Sequence, residues 1–221
     1  MQMIIRTATA TTAALLALVV TPVAAAEDTY ANYADLAANE TEGVDYRREV
    51  RTGDTDLVHI AIHGGGIERP TTELADAGAQ AGGHGFGTFE GLKPSGNSVL
   101  HITSTNFDEP QIRELVAGST YTVSWHGAAG DTATTYVGGL DTELRDAVRA
   151  ELRAEGFDAP DTVPDGLAGE SPDNIGNLNT RGKGVQLELT RAQRDALVQD
   201  GEPTAEFDDY IAAVERAVAG R

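Results

Sequence analysis

Two histidines end apolar segments of this chain in the same way. His63 closes the apolar segment 56–63 and is followed by three glycines, while His126 closes the segment 121–126 and is followed by Gly127. Glu68 lies five residues after His63, across a glycine loop that can turn both side chains toward one ion. A catalytic zinc takes three protein ligands and keeps one position open for water. The pattern predicts one Zn²⁺ per chain, held by His63, Glu68 and His126.

Glu188 is an acidic residue within the otherwise apolar segment 185–189. Burying a carboxylate without a partner costs free energy, so its presence there needs a reason. A general base beside the metal-activated water would supply that reason, and we expect Glu188 to have this catalytic role. It could instead face solvent on an edge strand, or pair with Arg181 or Arg191.

The other histidines leave alternatives open. A histidine at the end of a strand is commonly a structural residue held by hydrogen bonds, and this interpretation applies to each candidate ligand. His101 competes with His126 for the place of third ligand, although it lies inside the predicted strand 98–103. His59 is expected to face a neighbouring element within its strand, and His84 to lie in a loop.

The segment Arg181-Gly182-Lys183-Gly184 concentrates positive charge in a chain whose other lysine is Lys93. A guanidinium can bind a carboxylate through two parallel hydrogen bonds. We therefore expect Arg181 and Lys183 to bind an anionic substrate. Ordinary surface charge is the alternative.

The segments around these residues alternate between strand-like and helix-like patterns. Strands are predicted at 46–52, 56–63, 98–103, 121–126, 134–137 and 184–189, and helices at 30–39, from 71, at 110–117, at 141–155 and twice near the end. The segment 46–52 is expected at an edge of the sheet, and a glycine-rich loop is expected around residues 82–85. This alternation predicts an α/β fold, a three-layer sandwich with a mixed, largely parallel central sheet.

Composition and the amino-terminal pattern limit where and on what the protein acts. Arg6, a short apolar run and the small residues 24–26 indicate a signal peptide over residues 1–26, followed by a single domain over 27–221. The sequence has no cysteine and a formal net charge of −19, which disfavours nucleic acid as a partner. We expect a secreted monomer without a membrane span once the signal peptide is removed.

Five segments, taken together, resemble the phage-type poly-gamma-glutamate hydrolases, zinc enzymes with a carboxypeptidase-like α/β fold. The segments are AIHGGGIE (61–68), LHITSTNFDEP (100–110), VGG (137–139), NIGN (174–177) and GVQLELT (184–190). They occur in the family's order and span nearly the whole chain after residue 26. The resemblance implies a zinc held by His63, Glu68 and a later histidine, with a glutamate of the late strand as base. Four residues separate His63 from Glu68, where zinc carboxypeptidases have two, and the longer glycine loop is expected to compensate.

The resemblance also implies a substrate, a glutamate polymer joined through side-chain carboxyls. We expect a secreted hydrolase that cleaves the gamma-glutamyl amide bonds of this polymer or of a gamma-glutamyl peptide. One alternative is a carboxypeptidase-like or N-acyl-amino-acid amidohydrolase acting on small acidic substrates. Another is a non-catalytic extracellular binder of polyanions or cations. The preference for D- or L-glutamate and the position of the cut stay open at this stage.

Overall fold

A computed structural model describes residues 28–219 and 221, and the predicted signal peptide lies outside them. Its main sheet has six strands in the order β1-β3-β2-β4-β6-β5. The strands are β1 (Tyr46–Arg51), β2 (Leu57–Gly65), β3 (Gly85–Gly91), β4 (Tyr121–Gly127), β5 (Thr135–Gly138) and β6 (Val185–Leu189). A hairpin of β7 (Val198–Gln199) and β8 (Glu202–Pro203) forms a second small sheet.

The helices are α1 (Tyr33–Asn39), α2 (Thr71–Gly82), α3 (Pro110–Ala117), α4 (Thr142–Glu155), α5 (Arg191–Leu197) and α6 (Ala205–Val218). One apolar core lies between one face of the sheet and α2, α4 and α6, and includes Leu74, Trp125 and Tyr210. The other face packs with α1 and α3 through residues that include Leu36 and Ile112. The arrangement is therefore an α/β sandwich with helices on both faces of the sheet. No helix among the described residues is long and apolar enough to cross a membrane.

The four inner strands β3, β2, β4 and β6 are parallel, while β1 and β5 pair antiparallel at the two edges. Buried parallel strands read as unbroken apolar runs, which is why β2 and β4 were recognisable in the sequence. The mixed, largely parallel sheet is confirmed. Since parallel strands point the same way, the carboxyl ends of β2, β4 and β6 meet at one edge.

Two segments differ from the prediction. The predicted strand 98–103 is wrong, because residues Asn97–Leu100 form a 3₁₀ helix and the following residues join no strand. Its alternating pattern arises from Leu100 and Ile102, which are buried in the core beside α1 and α3. The segment Gly85–Gly91, where no strand was predicted, is the inner strand β3. Its Gly87 packs closely against Ile112 and Leu115 of α3, because an added Cβ would lie only 3.2 Å from Leu115.

Candidate metal centre

The predicted ligands meet at the carboxyl edge of the sheet. His63 near the end of β2 and His126 near the end of β4 place their Nδ1 atoms 3.1 Å apart. Glu68, in the loop after β2, brings Oε2 to 3.2 Å from Nδ1 of His63 and 3.9 Å from Nδ1 of His126. Two ligands of a tetrahedral zinc with bonds of about 2.0–2.1 Å lie roughly 3.3 Å apart. Two of the three separations are close to this value and the third is longer, so the three atoms surround one position that suits a metal ion.

The outer nitrogens of both histidines have partners within the protein. Nε2 of His63 donates to the main-chain oxygen of Ile102 at 2.9 Å, and Nε2 of His126 lies 2.8 Å from the hydroxyl of Ser124. A neutral imidazole carries a proton on one nitrogen, so a proton held on Nε2 leaves the Nδ1 lone pair facing the centre. This orientation suits metal ligation by Nδ1 of each ring.

Charges within the centre act strongly on one another. Burial raises the pKa of Glu68, but the nearby His63 and His126 and the Gly127 N–H outweigh it and lower the value to about 2. Burial and the proximity of His63 lower the pKa of His126 to about 3. Burial acts to lower the pKa of His63, but Glu68 reverses this and the net direction is upward. Glu68 is thus ionised and His126 neutral, the states in which both can bind a cation.

His101 also belongs to the centre. Its ring stacks on that of His63 with 4.0 Å between centroids, and its Nε2 lies 3.9 Å from Oε1 of Glu68. His63, Glu68 and His101 form a second group whose ligand atoms lie within 4.8 Å of one another. The structure therefore brings both competing histidines to Glu68, one at each carboxylate oxygen.

Asp28 orients His101 and was not identified from the sequence. Its Oδ1 lies 3.1 Å from Nδ1 of His101, and its carboxylate also accepts the Thr103 N–H at 2.8 Å. A carboxylate beyond a histidine commonly fixes the ring that faces a metal. No local pattern marks Asp28, because its partners lie more than seventy residues further along the chain.

Glu188 lies opposite His126, since these residues are paired in the register of β6 and β4. Its side chain is 6% exposed and makes no ion pair with Arg181, Arg191 or any other described residue. Nε2 of Gln186 donates to its Oε1 at 2.8 Å, and Asn174 in turn donates to Gln186 at 2.8 Å. Burial, reinforced by the charge of Glu68, raises the pKa of Glu188 well above its ordinary value. A carboxyl with a raised pKa holds a proton more readily than an ordinary glutamate does.

These side chains open into a cavity of about 380 Å³, which we call the metal pocket. Its lining includes the histidines, Glu68 and Glu188 described above. The opposite wall is formed by the glycine-rich segment 166–171, and the segment 103–105 closes one side.

Arg181 and Lys183 are not brought to the metal pocket. Both pair with the buried carboxylate of Asp141, at 2.6 and 3.5 Å, and Arg181 stacks on Tyr121 at the start of β4. His126 lies five residues further along that strand, roughly 16 Å away at about 3.3 Å per residue. Their position therefore does not support the expected binding of substrate beside the metal. They neutralise a buried acid at the end of the sheet where β4 begins, and the metal centre lies at the end where β4 stops.

Arg194 of α5 is a cation close to the metal pocket that the sequence did not reveal. Its guanidinium donates to the main-chain oxygens of Arg69, Ala128 and Leu189. These acceptors follow Glu68, His126 and Glu188 by one, two and one residues. One side chain thus ties together the three segments that carry these site residues.

A second group of histidines, His59 and His84 with Glu215, lies beneath α2 and α6. Nε1 of Trp125 donates to Nδ1 of His59 at 3.1 Å, so a neutral His59 carries its proton on Nε2. That nitrogen faces Glu215 at 3.2 Å, and Nε2 of His84 lies 3.1 Å from the other oxygen of Glu215. A protonated nitrogen cannot bind a metal. We therefore interpret this group as a buried polar cluster, in which Glu215 is hydrogen-bonded to His84 and lies close to His59 without a hydrogen bond of good geometry.

Comparison with known proteins agrees with this geometry. The family model of poly-gamma-glutamate hydrolase matches residues 30–213. The chain is 37% identical over 201 residues to the SPbeta prophage-derived UPF0714 protein YoqZ of Bacillus subtilis (strain 168), covering 87% of this chain and 72% of the relative. It is 38% identical over 183 residues to the UPF0714 protein YndL of the same organism, covering 81% and 71%.

Two solved structures are similar over most of their length. A bacteriophage poly-gamma-glutamate hydrolase superimposes with a TM-score of 0.84 at 42% identity, covering 87% of this chain and 97% of that chain. A zinc-free apo form of YndL superimposes with a TM-score of 0.82 at 33% identity, covering 88% and 98%. The family match, the relatives and the shared fold together show that this chain belongs to the poly-gamma-glutamate hydrolase family.

Proposed function

We propose that the protein is an exported, zinc-dependent hydrolase that cleaves gamma-glutamyl amide bonds in poly-gamma-glutamate. The observation that carries the proposal is the meeting of His63, Glu68 and His126 beside the buried carboxyl of Glu188. Family membership supplies the reaction and the polymer. The spacing of the ligand atoms and the zinc-free state of the related YndL structure support zinc as the metal.

Zinc bound to these residues would act as a Lewis acid and lower the pKa of water at its open position. The outer hydrogen bonds of His63 and His126 would direct their Nδ1 lone pairs at the metal ion and leave the open position to water. Glu68 contributes a negative charge that is already fixed by the Gly127 N–H at 2.8 Å. No further residue is needed to complete a three-ligand catalytic centre.

Glu188 is positioned to transfer a proton from the attacking water to the departing nitrogen. It accepts one from the water that attacks the amide carbonyl and delivers it to the departing nitrogen, which balances the reaction. Its raised pKa favours this return, because a carboxyl of ordinary acidity would release the proton to solvent. Gln186 holds Oε1, so Oε2 is the oxygen available for the transfer.

The expected site of action is outside the cell. The support for this is the residue pattern of 1–26, with a basic start, a short apolar run and small residues before Glu27. A protein with a net charge of −19 suits an extracellular medium in which salt screens its repulsion from an anionic polymer. We propose that it acts there as a monomer.

The experiment is to purify residues 27–221, measure the zinc content and follow polymer size with and without a chelator. We expect about one zinc per chain and shortening of poly-gamma-glutamate that stops when zinc is removed. Glu188→Gln should retain the zinc and lose turnover by at least about a hundredfold. The exposed Glu206→Gln serves as the matched control. A protein with zinc that leaves the polymer intact but cuts small acylated glutamates would refute the polymer as substrate.

A further inference from the structure

The cations of this acidic protein are almost all neutralised by its own carboxylates. Within residues 28–219 and 221, every lysine and arginine forms an ion pair except Arg69, Arg113 and Arg194. Arg69 follows the ligand Glu68, and Arg194 braces the segments around the metal pocket. Arg113 lines the cavity next to that pocket. Two of these three arginines are therefore tied to the segments of the metal centre, and the third lines the neighbouring cavity.

Arg113 differs from Arg194 in having its donors free. Three groups of the Arg194 guanidinium are used by main-chain oxygens. The exposed side chain of Arg113, on α3, makes no hydrogen bond or ion pair to any described residue. An arginine without a partner is able to bind a carboxylate through two parallel hydrogen bonds.

The cavity at Arg113 adjoins the metal pocket. It has a volume of about 540 Å³, and Thr105 and Ser171 line both cavities. A chain lying across Thr105 and Ser171 would thus have one unit at the metal and a later unit beside Arg113. The hydroxyls of both residues and the amide of Asn106 provide further polar contacts along this path.

Two acids also line the cavity, which limits what it accepts. Asp173 is exposed, and Asp108 already accepts the main-chain N–H of Tyr33 at 2.8 Å. A cavity lined by one guanidinium and two carboxylates suits a single substrate carboxylate more than a dense cluster of negative charge. The free carboxylate on each unit of a gamma-linked glutamate polymer meets this requirement, since neighbouring ones are separated by the side-chain carbons of the linkage.

We propose that Arg113 forms a substrate subsite which binds a free carboxylate of the polymer, away from the bond that is cleaved. This inference rests on the proposed function, because it takes the gamma-linked polymer as substrate. The subsite acts on binding and not on the chemical step, and it matters for long substrates alone. A short gamma-glutamyl substrate that fills the metal pocket does not reach Arg113.

The test compares Arg113→Gln with Arg191→Gln, which removes an exposed arginine of α5 that pairs with Asp195. For the polymer, Arg113→Gln should raise KM by roughly tenfold or more with kcat unchanged, the loss expected for a charged hydrogen bond. KM for gamma-glutamyl-glutamate should stay the same, and Arg113→Lys should recover part of the affinity. Arg191→Gln should match the unmodified protein on both substrates.

A second measurement separates this inference from the proposed function. Fluorescent polymer is titrated into the zinc-loaded Glu188→Gln protein, with and without Arg113→Gln. Weaker binding in the double variant supports the subsite even if turnover is slow. Equal KM and equal binding after the Arg113→Gln substitution, in a parent protein that shortens the polymer, would overturn the subsite while leaving the proposed function intact. A parent that neither binds nor shortens the polymer overturns both.

Discussion

The main-chain N–H of Gly127 donates to Oε2 of Glu68 at 2.8 Å. This hydrogen bond joins the residue after His126 to the carboxylate that the β2 loop contributes to the metal centre. It also places Gly127 against Arg194, where an added Cβ would lie 2.7 Å from Cζ of the guanidinium. A side chain at this position would therefore collide with Arg194 unless the guanidinium moved.

Replacing this glycine tests how closely the centre depends on that contact. We expect Gly127→Ala to displace Arg194 and Glu68 and to weaken zinc binding by about 10–100-fold, as loss of a supporting contact around a metal typically does. Competition with a chromophoric chelator measures the affinity. Gly118→Ala is the control, because its added Cβ would meet nothing closer than 3.5 Å. Unchanged zinc affinity in Gly127→Ala would contradict the packing argument.

Substituting His126 and His101 one at a time shows which of them is the third metal ligand. His126 approaches the same oxygen of Glu68 as His63 does, while His101 approaches the other oxygen. We expect His126→Ala to lose stoichiometric zinc and His101→Ala to retain it. Metal analysis of the dialysed proteins decides between them. Zinc lost from the His101 variant and kept in the His126 variant would reverse the assignment of the third ligand.

Zinc removal should lower stability, because the ligands join β2 to β4. A ligand present at a thousandfold excess over its dissociation constant stabilises the folded state by about 4 kcal/mol. We expect a chelator to reduce Tm clearly in the unmodified protein and in Glu188→Gln, whose carboxyl is not a ligand. His126→Ala should show little response, and calorimetry with and without chelator measures the difference. A chelator effect of equal size in all three proteins would argue that it does not act through this centre.

The cluster of His59, His84 and Glu215 should make the fold sensitive to acid. Burial lowers the pKa of His59 below its ordinary 6.5, and stability from a neutral buried histidine falls as pH drops below that value. Burial acts to raise the pKa of Glu215, but the interactions with His59 and His84 lower it below 4.5. Its contribution is therefore present above pH 4.5 and is lost as pH falls further.

Urea unfolding of the metal-free protein from about pH 7 down to about pH 3 checks this direction. Glu215→Gln should cost about 1–3 kcal/mol at neutral pH and flatten the loss of stability below about pH 4.5. Glu151→Gln removes an exposed partner of Arg216 and should cost less than about 1 kcal/mol at any of these pH values. A Glu215 variant with the full acid response of the parent would exclude this cluster as its source.

The sequence predicted the sheet, and the meeting of its candidate ligands, where the signal was local. His63 and His126 each end a buried apolar strand, and in a parallel sheet such ends meet at one edge. Strand β3 escaped prediction because Gly85, Gly87 and Gly91 give it little strand character. Its place between β1 and β2 requires those glycines for contact with α3 and the β2 loop.

Roles that depend on distant contacts could not be predicted. Asp28 and Arg194 support the centre through partners far along the chain, and nothing beside them in the sequence marks that role. The expectation for Arg181 was not supported for the opposite reason. Arg181 is close to Glu188 in sequence, but it lies before the start of β6 while Glu188 lies near its end, so strand β6 separates them.

The strands β2, β4 and β6 are neighbours in the sheet, and they bring together site residues that lie more than a hundred positions apart in the sequence. During synthesis His63 and His126 emerge well before Glu188, which lies on β6 near the carboxyl-terminal end of the described sheet. A chain that is still extended holds these groups far apart and has no hydrolytic centre. The protein thus acquires its activity only by folding, at whichever side of a membrane that folding takes place.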